Sequence, residues 1–193
     1  MRASLILMAA CIVLSVGTAA FADPDHRLED RQARLLLRVL SYDAALPRWT
    51  KGRLRIGVLA GSPQREDPAC ARILSALQGL EGVTVQRLPV EVVALEAGPW
   101  ESVAASVEKQ DLSALYLCDS VAERGASIAR MARARGLTVL AGDRELMRRG
   151  ATLAVVVEGD RPKILLNLRE ADRLGHRFAV PLLRLAEIVE EDR

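Results

Sequence analysis

LRIGVLAG, Leu54 to Gly61, is apolar at every position except Arg55. A strand with one wet face would alternate polar and apolar residues. A near-continuous run of this length instead reads as a strand covered on both faces, as in a parallel sheet. Ser62-Pro63 closes the run with turn chemistry. Residues 67 to 79 follow as a helix whose inner face is Cys70, Ile73, Leu74 and Leu77. The same strand-then-helix alternation continues downstream. Val83 to Leu88 reads as a strand, with Val90 to Leu95 extending it or forming another. A helix over 99–109 precedes the buried strand LSALYLC, Leu112 to Cys118. A helix over 121–134 carries Ile128, Met131 and Ala132 inward and stops at Gly136, before a short strand over 137–140.

Both ends of this alternation differ from its middle. Upstream, Leu28, Leu35, Leu36, Val39 and Leu40 share one stripe, which predicts an amphipathic helix over 26–41. Downstream, strands over 151–157 and 163–168 flank Glu158-Gly159-Asp160 and form a β-hairpin. A short helix over 169–174 follows, then a closing helix with the stripe Leu182, Leu185, Ala186 and Val189. Strands alternating with helices predict an α/β fold: a Rossmann-like three-layer sandwich, with a mostly parallel central sheet and a C-terminal antiparallel hairpin.

The first 22 residues read as a cleavable secretory signal. Arg2 is followed by an apolar core over 3–16, and small residues end in Ala20-Phe21-Ala22. Cleavage after Ala22 would leave one domain over 23–193. Two alternatives fit less well: an uncleaved anchor, and lipid attachment at Cys11 of Met8-Ala9-Ala10-Cys11. A span needs about 20 apolar residues, and the apolar run continues past Cys11 where a lipidation box should close it.

The charge balance excludes some partners. Of 27 basic side chains only Arg2 leaves with the signal, so the remainder nearly matches the 25 acidic ones. A nucleic-acid binder needs a concentrated basic face, and none is written here. Enzyme chemistry finds little support. His26 and His176 are isolated and read as surface residues, and no G-x-S-x-G elbow is present. Scattered cysteines and histidines give no metal-ligand spacing, and no cofactor is implied. A Walker loop would need Gly-Lys-Ser/Thr after the first strand, where the chain has Gly61-Ser62-Pro63. Free amides at the helix start there could hold an anion, and a plain strand-to-helix turn accounts for the loop as well.

Ligands of open parallel sheets sit at the carboxyl ends of the strands. The short polar residues there are Ser62 beside Gly61, Asp119 and Ser120, and Asp143. Helix capping is the competing role, for Ser120 and Asp143 alike. Cys70 and Cys118 are the two cysteines beyond the signal. They either pack in the core or, if their strands are neighbours in an oxidising compartment, form a disulfide.

Three segments together resemble a known family. They are LRIGVLAGS at 54–62, ALYLCDS at 114–120, and the run from Gly136 to Val189 with Gly150, Asn167-Leu168 and a Leu-Leu-x-Leu-Ala segment. This pattern is similar to the YfiR-like (YfiR/HmsC) family of small periplasmic proteins. The resemblance implies a non-catalytic regulator, localised to the periplasm. It would bind the periplasmic domain of a membrane signalling protein, a diguanylate cyclase or a sensor kinase, and restrain cyclic-di-GMP synthesis and biofilm formation. It also implies that cysteine redox state takes part in regulation in some members. A docking surface near Phe178 and Arg184, on the last helix and its approach, is the candidate partner face, and a homodimer is a further candidate assembly. The other reading is an extracytoplasmic small-ligand sensor built on the rim loops.

Overall fold

The computed structural model describes residues 24–61, 67–159 and 161–189. The signal segment and Ser62 lie outside the described residues. The described chain begins with α1 (Pro24–Leu40) and the four-residue α2 (Leu46–Trp49). Then come β1 (Leu54–Ala60), α3 (Pro68–Gln78), β2 (Thr84–Val85), β3 (Leu88–Glu96) and α4 (Trp100–Gln110). β4 (Ala114–Leu117), α5 (Gly125–Ala134), β5 (Thr138–Ala141) and α6 (Arg144–Arg148) complete the parallel part. The hairpin is β6 (Leu153–Glu158) and β7 (Arg161–Leu166), followed by α7 (Leu168–Arg173), α8 (Val180–Leu183) and β8 (Glu187–Ile188).

One sheet holds all eight strands in the order β2-β3-β1-β4-β5-β6-β7-β8. β3, β1, β4, β5 and β6 run parallel, while β2 against β3 and β6 against β7 are antiparallel. Alternate residues feed two separate cores. Ile56, Val58, Ala114, Tyr116 and Leu140 face α1 and α3, with Leu36, Leu40, Ile73 and Leu77. Leu59, Leu115, Leu117, Val139 and Ala141 face α4, α5 and α6, with Val107, Ile128, Met131 and Leu146. The expected three-layer α/β sandwich is therefore present, with its mostly parallel sheet and its C-terminal hairpin.

Three elements depart from the sequence reading. The strand expected over 83–88 is cut by a tight turn at Gln86 and Arg87, whose φ values are 50° and 69°. This turn folds β2 back onto β3, with Val85 opposite Leu88. The helix expected over 121–134 opens instead with a 3-10 turn at Asp119–Arg124. The closing helix stops at Leu183, after one turn begun by Pro181 at its start. Residues beyond it join the sheet edge, with Glu187 and Ile188 beside Leu165 and Leu166. Edge pairing outweighs the helical spacing there. It leaves Leu185 on the outside at 74% exposure.

Candidate ligand crevice at the sheet rim

β1 leads through α3 to β3 on one side of it, and β3 returns through α4 to β4 on its other side. The winding therefore reverses between β1 and β4. Connections leaving their carboxyl ends diverge, and a crevice opens at such a point in α/β sheets. The residues assembled there come from four elements.

Asp67 caps α3: its Oδ1 accepts from the Cys70 N–H at 2.9 Å. Its Oδ2 accepts from the Ser120 N–H at 3.2 Å. One carboxylate thus ties the start of α3 to the loop after β4. Ser120 ties a third segment, since its Oγ accepts from the Gly61 N–H at 2.9 Å. Gly61 is needed for this approach, because a Cβ there would sit 2.9 Å from the Ser120 Cβ. A disulfide joins Cys70 to Cys118, with Cα atoms 5.4 Å apart across a 48-residue separation. Of the two alternatives open for these cysteines, the structure carries the pair.

Of the rim residues expected from sequence, Asp119, Ser120 and Asp143 lie at this crevice, while Ser62 is outside the described residues. Ser120 does not cap a helix; the position before the 3-10 turn is Cys118, which caps with no side chain. Asp143 does cap α6, accepting from the Leu146 N–H at 2.9 Å. Its other oxygen, Oδ2, is buried and finds no donor. Partial burial, then the neighbouring Asp143, then the charge of Asp67 push the Asp119 carboxyl up to about 6. The anion reading of the α3 start fails locally, since Asp67 itself occupies the amides of Cys70 and Ser120.

The floor and one wall of the crevice were not legible beforehand. Glu29 and Gln32 reach in from α1, and Tyr116 stands up from β4. With Asp67, Ala69, Cys70, Ile73, Cys118, Asp119 and Gly142 they line a pocket of about 100 Å³. Tyr116 was the available signal, a single polar-tipped aromatic in an aliphatic strand. Asp67-Pro68 was another, as a capping residue with proline at the first helical position. Asp67→Ala is expected to cost about 1–2 kcal/mol, as loss of a helix cap does. Asp67→Asn, which keeps an acceptor oxygen, should recover most of that. Urea midpoints of the three proteins check it.

A larger hollow of about 320 Å³ lies at the opposite rim, beside Lys51, Glu108, Asp111 and Arg135. Its charges satisfy one another: Lys51 pairs with Asp111 and Arg135 with Glu108. Among the described residues, none of its lining side chains carries a buried polar atom without a partner, as Glu29 does in the smaller crevice.

His176 corrects the sequence reading outright. It is buried at 5% exposure, not a surface residue. Its Nδ1 lies 2.7 Å from Asp43 Oδ2 and its Nε2 3.0 Å from Thr138 Oγ1. Asp43 also accepts from Trp49 Nε1 at 2.9 Å and from the backbone N–H groups of Ala45 and Arg177 at 2.9 and 2.7 Å. Burial alone would raise the Asp43 carboxyl; the four donors, His176 foremost, bring it below its usual range. Because Asp43 is held ionised, Nδ1 carries the proton that bridges them. Hydroxyl, imidazole and carboxylate are aligned as in a nucleophile triad. Yet Thr138 and Asp43 are 1% and 0% exposed, so no substrate reaches the hydroxyl. This network belongs to the structure's interior. Phe178 belongs beside it, half-buried and stacked on His176 with centroids 5.5 Å apart. Arg184 is exposed at the end of α8.

A family model described as YfiR/HmsC-like matches residues 29–187. No curated protein matches the chain. Solved structures do match, at low identity. One is the ligand-free, open structure of a substrate-binding protein with adhesive properties from Clostridium difficile. It is 14% identical with a TM-score of 0.57, over 80% of this chain and 59% of that one. An ABC domain in complex with L-Trp from Streptococcus pneumonia gives 14% and 0.57, over 83% and 60%. A conserved domain protein from Vibrio cholerae gives 14% and 0.56, over 86% and 60%. The chain thus spans about three-fifths of the length of these structures. The likeness is one of fold alone, that of an α/β unit with a mostly parallel sheet.

Proposed function

The chain belongs to the YfiR/HmsC-like family, and from that membership we propose that it is a periplasmic regulator without catalysis of its own. It is exported by its first 22 residues and cleaved after Ala22, leaving one domain. Its partner is the outward-facing domain of a membrane signalling protein, a diguanylate cyclase in the first instance and a sensor kinase otherwise. Docking restrains cyclic-di-GMP synthesis and so limits biofilm formation. The observation that carries this reading is the family match across residues 29–187.

Other observations support it. Among the described residues, no helix is long and apolar enough to cross a membrane. The disulfide suits an oxidising compartment. The aligned Thr138, His176 and Asp43 are sealed from substrate. The partner face includes Arg184 and the exposed apolar residues Val180, Leu185 and Ile188, at 60%, 74% and 46% exposure. Phe178 serves that face from beneath, by fixing the approach to α8.

Deleting the gene in a strain that retains its cyclases is expected to raise cyclic-di-GMP, and Arg184→Glu with Leu185→Asp should fail to restore the low level. Tagged protein should retrieve a membrane cyclase or kinase from solubilised membranes. An unchanged cyclic-di-GMP level together with an empty retrieval would overturn the proposal. If the face instead joins two copies of this chain, light scattering will show a dimer that the double substitution dissociates.

A second reading is favoured by the crevice itself. A pocket at the reversal point of an α/β sheet, in a fold shared with substrate-binding proteins, suits a small ligand whose occupancy informs the docking face.

A further inference from the structure

Resting on that second reading, we propose that the crevice between β1 and β4 binds a small organic cation through a primary ammonium group. Tyr116 is buried at 4% exposure and lines the crevice. Among the described residues its hydroxyl makes no hydrogen bond, although buried tyrosines usually find one. Gly142 leaves the hydroxyl its room: a Cβ at 142 would lie 2.4 Å from it. Glu29 Oε2, on the same lining, is a buried oxygen without a partner. An unsatisfied buried polar atom costs about 1–3 kcal/mol, so this oxygen, beside a Tyr116 hydroxyl that faces the crevice, favours a donor from outside.

The charge of the wall says what kind of donor. Among the described residues, Glu29, Asp67 and Asp119 are the ionisable carboxyl groups lining it, and no lysine or arginine does. Arg72 offsets Glu29 from behind at 2.9 Å. Asp67 is turned toward backbone amides. Asp119, in side-chain hydrogen-bond contact with Asp143, keeps acceptor sites for a ligand, since a carboxylate offers about four. Burial first, and then the charges of Asp119, Asp143, Glu29 and Asp67, hold the proton on the Tyr116 hydroxyl. The hydroxyl thus sits in a negative field that a cation relieves.

The spacing favours an ammonium over a metal ion. A divalent cation needs several oxygens at about 2.0–2.6 Å from one point. Among the described residues, the cluster compact enough for an ion is Asp67 with Cys70 and Cys118. Both sulfurs of that cluster are spent in the disulfide. An ammonium carries three N–H donors on a tetrahedral head. It spans acceptors farther apart, such as Tyr116 Oη, Glu29 Oε2 and the Asp119 carboxylate. A volume of about 100 Å³, roughly three waters' share of the liquid, holds such a head and a short carbon chain.

Calorimetric titration and thermal melting with ethylammonium and 1,4-diaminobutane test this, beside tetramethylammonium, calcium and a library of uncharged and zwitterionic metabolites. One saturable site is expected for the primary ammonium ions, weakened at least about tenfold by Tyr116→Phe and by Asp119→Asn, as loss of one charge-assisted hydrogen bond would do. Tyr116→Phe removes no hydrogen bond among the described residues, and Asp119→Asn keeps an acceptor oxygen and adds an amide donor beside Asp143, so unliganded melting should not fall below wild type. Binding that both variants retain in full would overturn the assignment, as would saturation by calcium or tetramethylammonium alone. A shift from an uncharged or zwitterionic metabolite with none from the amines would sink the cation and leave the small-ligand reading standing. No shift from any compound would end both.

Discussion

Asp43→Ala is expected to be the most damaging single substitution in the chain, costing about 3–5 kcal/mol, because it strands partners of a buried charge. Domains of this size are stable by only about 5–15 kcal/mol, so the variant should be near unfolding at ambient temperature. The carboxylate is 0% exposed and receives four donors. These donors hold together parts of the chain far apart in sequence. Ala45 and Trp49 belong to α2 and its start, and Arg177 and His176 to the turn after α7. Removing the carboxylate leaves the indole, the imidazole and two backbone amides without acceptors. His176→Ala should cost less, since Asp43 keeps three donors. The double substitution should cost less than the two losses added, because the partners share one network.

The same group sets an acid limit. Asp43 has a folded-state value below its unfolded value of 3.8. Its contribution is therefore fully present above about pH 4 and disappears as the pH falls through the lower folded value. Urea midpoints measured from pH 7 down to pH 2.5 should fall in that window. An Asp43→Asn protein, already less stable, should show a flatter profile below pH 4. Parallel profiles for the two proteins would assign the acid transition to other carboxylates.

The middle of the fold was readable because burial on both faces writes itself locally. β1, β4 and β5 are apolar runs, and the helices between them carry apolar stripes. The hairpin of β6 and β7 announced itself through Glu158-Gly159. What escaped was non-local. Gln86 and Arg87 make a turn that usually draws glycine or asparagine, so nothing in their type marked it. The closing stripe had helical spacing, but Glu187 and Ile188 found an open sheet edge beside β7. His176 stood among charged residues in sequence, while its partner Asp43 is 133 residues away. The crevice divided in the same way. Cys70, Cys118, Asp119, Ser120 and Asp143 could be placed because strand ends are local features. Glu29 and Gln32 could not, because where α1 docks across the sheet depends on packing. That packing includes the Gln32 amide donating to the Val155 carbonyl at 2.5 Å.

Loss of the Cys70–Cys118 bond is the other large effect to expect. Closing a loop of the observed 48-residue separation restricts the unfolded chain by about 4 kcal/mol on the chain-entropy model, and measured losses usually fall near 2–4 kcal/mol. The same region keeps Asp67 and Ser120 as non-covalent ties after reduction. The reduced protein should therefore stay folded but melt lower, with denaturant midpoint reduced and the slope changed if its unfolded state expands. Cys70→Ala/Cys118→Ala should behave like the reduced protein, and reductant should not shift it further. A melting temperature untouched by reductant, with two free thiols counted in the reduced sample, would show that the bond carries no stability. The placement also gives reduction a local reading. Both cysteines line the crevice, and the bond pins the start of α3 to the end of β4. Reduction frees those two walls against each other while the cores on either face of the sheet stay closed. Ammonium binding should then weaken more than global stability does, because the ligand must reorder a rim that the disulfide had ordered in advance. Equal affinity in the oxidised and reduced proteins would confine the disulfide to a stabilising role.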